Sequence, residues 1–456
     1  MCKKSIRDKK NQGSNHLAMI CLLSILLIFL ITASFVAIKM GFGVIPDEGA
    51  HFMLIAEFDK TLGIPNETEA TIKRGVFIEG NPFLYYWLIA RIRNILFLLI
   101  PSLTDSIGFY AVKLISVFLS VGTLISTWFL AKEIIDNEWL QLLPVFLLAN
   151  LQMFFILSTG INYDNLVTLL CTLAILFIIR IAKQKPFWEN TFLLAIFLGL
   201  AALSKKTALP LVLILVIIWC GLLIKLKPGP IHLIGRRIVL FILAVLVVSL
   251  NLFMYGRNLI VYKKIIPGCY QLATESQCSE SNFIAREREQ GLEEKLSFSQ
   301  ATEQGYPSFI EYYFEHWSKA MIERNVGIFG HKVYSNPMTP TVTFFLIVLI
   351  ILCFTQIRKP ALLFWILLGI ACAYTIILYY FNYDLQLSFG FKGFGVQGRY
   401  IFPVISAFLI ILVYGIHHIR PKLFKYITVI ATVVVSILAG PLQILQYYNS
   451  FFYSWF

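Results

Sequence analysis

The sequence predicts an all-α polytopic integral membrane protein, with about 11 transmembrane helices and interfacial helices in its first long loop. Three observations predict it. Of 456 residues, 58% are hydrophobic and only 14% charged, where an average soluble domain carries about 25% charge; mean hydropathy is +0.76. Apolar runs of bilayer length recur along the whole chain. The basic excess, a net +13, falls on alternate loops. Such a composition excludes an ordinary soluble enzyme, a disordered chain and a coiled coil. With 27 Gly, 17 Pro and 8 Cys, collagen-like and disulfide-scaffold chains are excluded too. A pI near 9.3 raises nucleic-acid binding, but in a chain this apolar the basic excess orients the protein in a bilayer, and no nucleic-acid partner is expected.

The first apolar run, Leu17 to Ile38, follows Lys3, Lys4, Arg7, Lys9 and Lys10. A signal-peptide core is about 7–15 residues long. This longer one reads as a retained anchor behind a basic cytoplasmic tail, residues 1–16. Further spans are expected near 107–131, 139–158, 165–182, 190–204, 207–224, 238–256, 339–357, 361–381, 400–416 and 426–446. Residues 83–100 are long enough to cross but carry Arg91 and Arg93 between Pro82 and Pro101. A central Arg costs about 2.5–3.5 kcal/mol on insertion scales, and paired arginines with an aromatic face suit a helix lying in the interface.

The charges decide that segment. With 83–100 interfacial, the segments 1–16, 132–138, 180–189, 225–237, 358–360 and 417–425 are cytoplasmic and hold 18 Lys/Arg against 5 Asp/Glu. The remainder holds 20 of each, as the positive-inside rule requires. The chain then divides into the tail 1–16, a transmembrane core 17–256 with an outer loop 40–106, an extracytoplasmic loop domain 257–338, and C-terminal transmembrane helices 339–456. Within the loop domain, REREQGLEEKL reads as a solvated charged helix. Cys269 and Cys278, the two cysteines in an outer loop, suit a disulfide in an oxidising compartment or two free thiols equally.

Four features gather on the outer face. Pro46-Asp47-Glu48-Gly49-Ala50-His51 follows the first span. Its acids suit a helix start, yet Asp47 and Glu48 share a helical face with His51 and can serve as a base or hold a divalent cation. In Gly160-Ile161-Asn162-Tyr163-Asp164-Asn165, Asp164 either caps the next helix or contributes the one acid of that turn. Ser204-Lys205-Lys206-Thr207 puts two lysines outward, as snorkelling anchors or as phosphate contacts. Gln397-Gly398-Arg399-Tyr400 places an Arg where the tenth span meets the surface.

In this order PDE…H, then Gly80-Asn81-Pro82-Phe83-Leu84-Tyr85-Tyr86-Trp87, then Ala111-Val112-Lys113-Leu114-Ile115-Ser116, resemble the amino-terminal third of polytopic GT-C glycosyltransferases. That superfamily includes the protein O-mannosyltransferases and lipid A aminoarabinose transferases, and in size and span count the chain is similar to serotype-converting glucosyltransferases. GINYDN, SKKT and QGRYIFP resemble a bacterial membrane family that shares PDE…H. The likeness covers roughly 17–210 and 390–410. Gly80-Asn81-Pro82 lacks the usual basic residue and second proline, and Lys113 stands where Arg is usual.

The resemblance implies transfer of a sugar from a polyprenyl-phosphate-linked donor to a glycan or lipid acceptor, such as a surface polysaccharide, on the extracytoplasmic face of the inner (cytoplasmic) membrane. It implies inversion at the anomeric carbon. An acceptor hydroxyl needs a base and a departing phosphate needs cations. The expected catalytic residues are Asp47 as base, with Glu48 and Asp164 orienting the acceptor or a metal; Lys205, Lys206, Arg399 and, more weakly, Arg257 would hold the donor phosphate. A divalent metal ion, on Glu48 and His51, is the one cofactor in view, with a structural His51 as the alternative. Two rivals remain at this level: an O-antigen polymerase or ligase, which would tolerate loss of Asp47, and a transporter or flippase, whose site would lie at the bilayer midplane.

Overall fold

A computed structural model describes residues 2–101, 105–292, 294–329, 332–333, 337–357, 360–390 and 395–443. In chain order the helices are α1 (Cys2–Lys39), α2 (Glu48–Asp59), α3 (Glu69–Arg74), α4 (Leu84–Leu99), α5 (Asp105–Ile134), α6 (Glu138–Ala149), α7 (Gln152–Ser158), α8 (Asp164–Ala182), α9 (Phe187–Ser204), α10 (Leu209–Leu226) and α11 (Arg236–Val261). A run of short helices follows: α12 (Cys269–Leu272), α13 (Glu275–Ser279), α14 (Asn282–Gln290), α15 (Phe298–Glu303), α16 (Phe309–Glu311), a π-helical turn (Tyr312–Trp317) and α17 (Ser318–Val326). The chain continues through a two-residue antiparallel pair, β1 (Ile328–Phe329) with β2 (Lys332–Val333), to α18 (Thr339–Gln356), α19 (Leu362–Phe389), α20 (Ile405–His417) and α21 (Lys422–Leu438).

Among the described residues, nine helices are long and apolar enough to cross a membrane. A tenth crossing arises if α6 and α7 count together; they meet at a 67° bend. One straight span was expected over 139–158. The helix ends at Asn150, whose backbone N–H and side-chain amide both donate to the Phe146 carbonyl, at 3.1 and 2.9 Å, and Leu151 leaves the helical region. At the eleventh expected span, 426–446, the structure has α21, 17 residues long and not among the helices long enough to cross; positions beyond 443 lie outside the described residues.

The core centres on α8, whose residues are buried almost throughout and which packs on α5, α9, α10 and the 3₁₀ segment Gly398–Val404. A helix apolar on all sides is stable only when surrounded in this way or by lipid. The segment with two arginines is α4, too short to be a crossing helix. Its arginines serve α2. Arg91 donates to the carbonyls of Phe58 and Thr61, and Arg93 pairs with Asp59. Cations at the end of α2 satisfy carbonyls and the helix dipole, so α4 fixes the helix whose other end carries Asp47, Glu48 and His51.

The first long loop and the 257–338 segment share one end of the bundle: α3 packs against α13 and α14. Cys269 and Cys278 are joined in a disulfide, packed with Ile72 of α3.

Candidate active site

Asp47 ends the loop after α1 in the left-handed region (φ 63°, ψ 9°). A non-glycine residue there is strained. It occupies the N-cap position of α2 without using its side chain as a cap; its Oδ2 instead accepts from Arg399 Nη2 at 2.5 Å. The Asp47 side chain is 52% exposed and that of Arg399 only 5%.

Arg399 is brought there by the 3₁₀ segment Gly398–Val404. Tyr374 donates to the carbonyls of both Tyr400 and Thr207 at 3.0 Å, tying that segment to the turn after α9. On its other side Gly398 packs against the backbone of α17, and a Cβ there would lie 2.6 Å from the Arg324 carbonyl oxygen.

Asp164 opens α8, but Asn162 does the capping: its Oδ1 accepts the Asp164 N–H at 2.8 Å. The Asp164 carboxylate is therefore available for cations. Oδ1 pairs with Lys205, and Oδ2 lies 3.6 Å from Arg399 Nε. All three side chains are 5% exposed or less. Lys205 sits in extended backbone between α9 and the 3₁₀ turn Lys206–Ala208. Its ammonium lies 4.3 Å from the Tyr163 ring centroid and 5.1 Å from that of Tyr400, so two aromatic faces take part of the place of water. Burial pushes the Lys205 ammonium down to about 8, against the pull of Asp164.

Thus Asp47, Arg399, Asp164 and Lys205 converge from four separate parts of the sequence. His51 joins them from α2. Its Nδ1 lies 2.9 Å from the Tyr86 hydroxyl, its ring packs 4.5 Å from Tyr163, and it is 3% exposed. Burial pushes the imidazole down to about 3, so it is neutral at ordinary pH. Four buried polar atoms of this cluster have no hydrogen-bond partner in the protein: His51 Nε2, Arg399 Nε and Nη1, and Asp164 Oδ2. Native interiors rarely leave such atoms unpaired. Arg399 Nε and Asp164 Oδ2 face each other at 3.6 Å, so His51 Nε2 and Arg399 Nη1 are the two donors that a ligand entering here would meet.

Three expected site residues lie elsewhere. Glu48 turns inward, accepting from the Gly43 and Ile161 N–H groups at 2.9 and 3.2 Å, with Lys113 Nζ 3.6 Å from Oε1. It staples the loop after α1 to α5 and to the turn before α8; burial raises its carboxyl, with Lys113 opposing. Arg257 is held by Glu79 at 2.6 Å, which also accepts from Tyr262, so it anchors the first loop to α11. Lys206 is exposed, with Glu287 of α14 as its charged neighbour. The charged 282–290 helix itself packs on α3.

Glu48 and His51 are not presented together as a pair of metal ligands. Both Glu48 oxygens and His51 Nδ1 are engaged within the protein. Asp47 and Asp164 each face a cation. Among the described residues no three His, Cys, Asp or Glu groups converge as a ligand set.

Sequence reasoning passed over Lys113, Tyr163, Tyr400 and Tyr86. The signal for the two tyrosines was adjacency, since Tyr163 precedes Asp164 and Tyr400 follows Arg399. Lys113 stood in a motif read only for its departure from Arg.

Residues 81–254 match the family described as dolichyl-phosphate-mannose-protein mannosyltransferase. Among curated proteins none matches the chain in sequence. Similar solved structures include ArnT from Cupriavidus metallidurans bound to undecaprenyl phosphate, at 14% identity and TM-score 0.44, covering 91% of this chain and 63% of that one. The archaeal oligosaccharyltransferase AglB from Archaeoglobus fulgidus, in complex with an inhibitory peptide and a dolichol-phosphate, is 13% identical with TM-score 0.43, over 91% of this chain and 55% of that one. The Archaeoglobus fulgidus oligosaccharyltransferase tethered to an acceptor peptide gives 13% and 0.48, with the same coverage. The chain spans less than two thirds of the length of each.

Proposed function

We propose that this chain is a GT-C superfamily glycosyltransferase, a reading that the family match over residues 81–254 supports, and that it transfers a sugar from a polyprenyl-phosphate-linked donor to a hydroxyl of a glycan or lipid acceptor. The observation that carries this reading is the buried Asp164–Arg399–Lys205 cluster with Asp47 open to solvent beside it. A half-exposed carboxylate suits an acceptor that arrives from water. Buried cations with unpaired N–H groups suit a phosphate on a lipid.

In the proposed step, the acceptor oxygen attacks the anomeric carbon and its proton passes to the Asp47 carboxylate. The bond between that carbon and the phosphate oxygen breaks, and the electron pair leaves with polyprenyl phosphate. Positive charge develops on the sugar and negative charge on the leaving group. Arg399 and Lys205 stabilise the latter in a site already shielded from water. Asp164 holds both cations in place. The charge pattern of the loops supports an extracytoplasmic site in the inner membrane, with a surface polysaccharide or lipid-linked glycan as acceptor.

Asp47→Asn tests the reading. Transfer from a polyprenyl-phosphate sugar should fall by about 10²–10⁴-fold, the contribution of a general base, while membrane insertion and abundance hold. Full activity in that variant would remove Asp47 from the mechanism.

A further inference from the structure

His51 holds a position that neither a base nor a structural histidine explains. The Tyr86 hydroxyl and His51 Nδ1 are partners at 2.9 Å in a buried setting. A buried phenol must donate its proton or pay for leaving it unpaired. Donation to Nδ1 makes that nitrogen the acceptor, and a neutral imidazole then carries its single proton on Nε2. Nε2 is buried and has no partner in the protein. Stacking alone would not require a nitrogen there.

The charged groups around the ring are Asp47, Arg399, Asp164 and Lys205, and Tyr85, Tyr86 and Tyr163 pack against it. Within the cluster Arg399 Nε and Asp164 Oδ2 face each other at 3.6 Å, which leaves two N–H donors, His51 Nε2 and Arg399 Nη1, with no acceptor in the protein. A sugar hydroxyl both donates and accepts, so a site for hydroxyls alone would hold donors and acceptors in similar number. An excess of donors matches a ligand rich in acceptor oxygens. We propose that His51 Nε2–H is a neutral hydrogen-bond donor to the phosphate of the lipid-linked substrate and of the lipid phosphate released from it. This rests on the functional reading above and extends it to a residue whose contribution carries no charge.

The test uses the purified full chain and undecaprenyl phosphate as probe, with undecaprenol, which lacks the phosphate, as comparison. His51→Phe keeps the ring packing and removes the donor; His51→Gln restores an N–H near the Nε2 position. The wild type should bind undecaprenyl phosphate. His51→Phe should weaken that binding by about 10- to 100-fold, the scale of one hydrogen bond to a charged group, and His51→Gln should recover most of the loss. Undecaprenol binding should be alike in all three. Equal phosphate binding by wild type and His51→Phe would overturn the proposal, as would equal weakening of both lipids. Should His51→Phe fail to fold, Tyr86→Phe replaces it: freeing the proton to move to Nδ1 should weaken phosphate binding about threefold, and no change would overturn the assignment. A wild type that binds neither lipid would instead remove the functional reading itself.

Discussion

Asp47 and Arg399, 352 residues apart in the chain, meet at 2.5 Å, and the same guanidinium reaches Asp164 at 3.6 Å. One cation thus sits between an acid open to solvent and an acid sealed in the core. Charge alone does not require Arg here, since Lys205 already compensates Asp164. The planar fork does, because it can touch both carboxylates and still keep N–H groups for a ligand.

Arg399→Gln should therefore lower kcat/KM for the lipid-linked donor by about 10²–10³-fold, the usual loss for removing one preorganised donor from an anion site. Arg399→Lys keeps the charge but not the fork and should recover only a small part. Steady-state transfer assays on both variants, normalised to folded protein, give the comparison.

Lys205 gives the site a pH limb. Its ammonium is lowered to about 8 by burial, so the charged form prevails below that value and is lost as pH rises through it. Affinity for the donor should hold from pH 6 to about 7.5 and fall above pH 8, seen as a rising donor KM with a smaller change in kcat. Lys205→Arg, which stays charged, should flatten that limb. A KM profile unchanged by the substitution would assign the limb to another group.

Glu48 and Lys113 form a pair with no solvent exposure on either side chain, and Lys113 also donates to the Met40 carbonyl at 2.8 Å. Removing one partner of such a pair strands a buried charge and costs about 3–5 kcal/mol. Lys113→Met should lower thermal stability and abundance, whereas Lys113→Arg should be tolerated, since it keeps the charge and can reach the same carboxylate. Detergent-solubilised melting curves separate this loss from the catalytic loss expected at Asp47, where stability should be kept.

That contrast shows where reading the chain stopped. The apolar runs reveal the helices because a bilayer demands length and hydrophobicity, both local properties. The α6–α7 bend escaped because the run stays largely apolar across the break at Asn150 and Leu151, so hydropathy alone does not mark it. Asp47, Asp164, Lys205 and Arg399 could be picked out individually as charges near the ends of spans, and the structure brings those four together. The sequence assigns Asp47 as base and Glu48 as its helper, but the inward turn of Glu48 was not legible, because it depends on Lys113 and on the Gly43 and Ile161 N–H groups, which lie outside the motif. The ion pair of Arg257 was hidden for the same reason: its partner, Glu79, is 178 residues away. Aromatic residues at span ends are so common as interface anchors that Tyr163 and Tyr400 drew no notice, although both flank the buried ammonium.

Gly398 tests whether the site depends on backbone placement as well as on its charges. The residue lies directly before Arg399, and Asn325 Nδ2 donates to its carbonyl at 3.3 Å. An added Cβ would meet the Arg324 oxygen at 2.6 Å, the Arg324 carbonyl carbon at 2.7 Å and the Asn325 nitrogen at 2.9 Å. All three are backbone atoms, which cannot swing aside as a side chain would, so either α17 or the 3₁₀ segment must move. Overpacking of this kind costs about 1–3 kcal/mol. A displacement of about 1 Å at a catalytic group can cost about 10²-fold in rate. Gly398→Ala should therefore reduce kcat by about 10- to 100-fold with only a modest drop in melting temperature, although it removes no functional group. Gly256→Ala, at a helix position with no heavy atom within 4 Å of the new Cβ, should leave both rate and stability near wild type. If the two variants behave alike, the close approach of α17 does not set the position of Arg399.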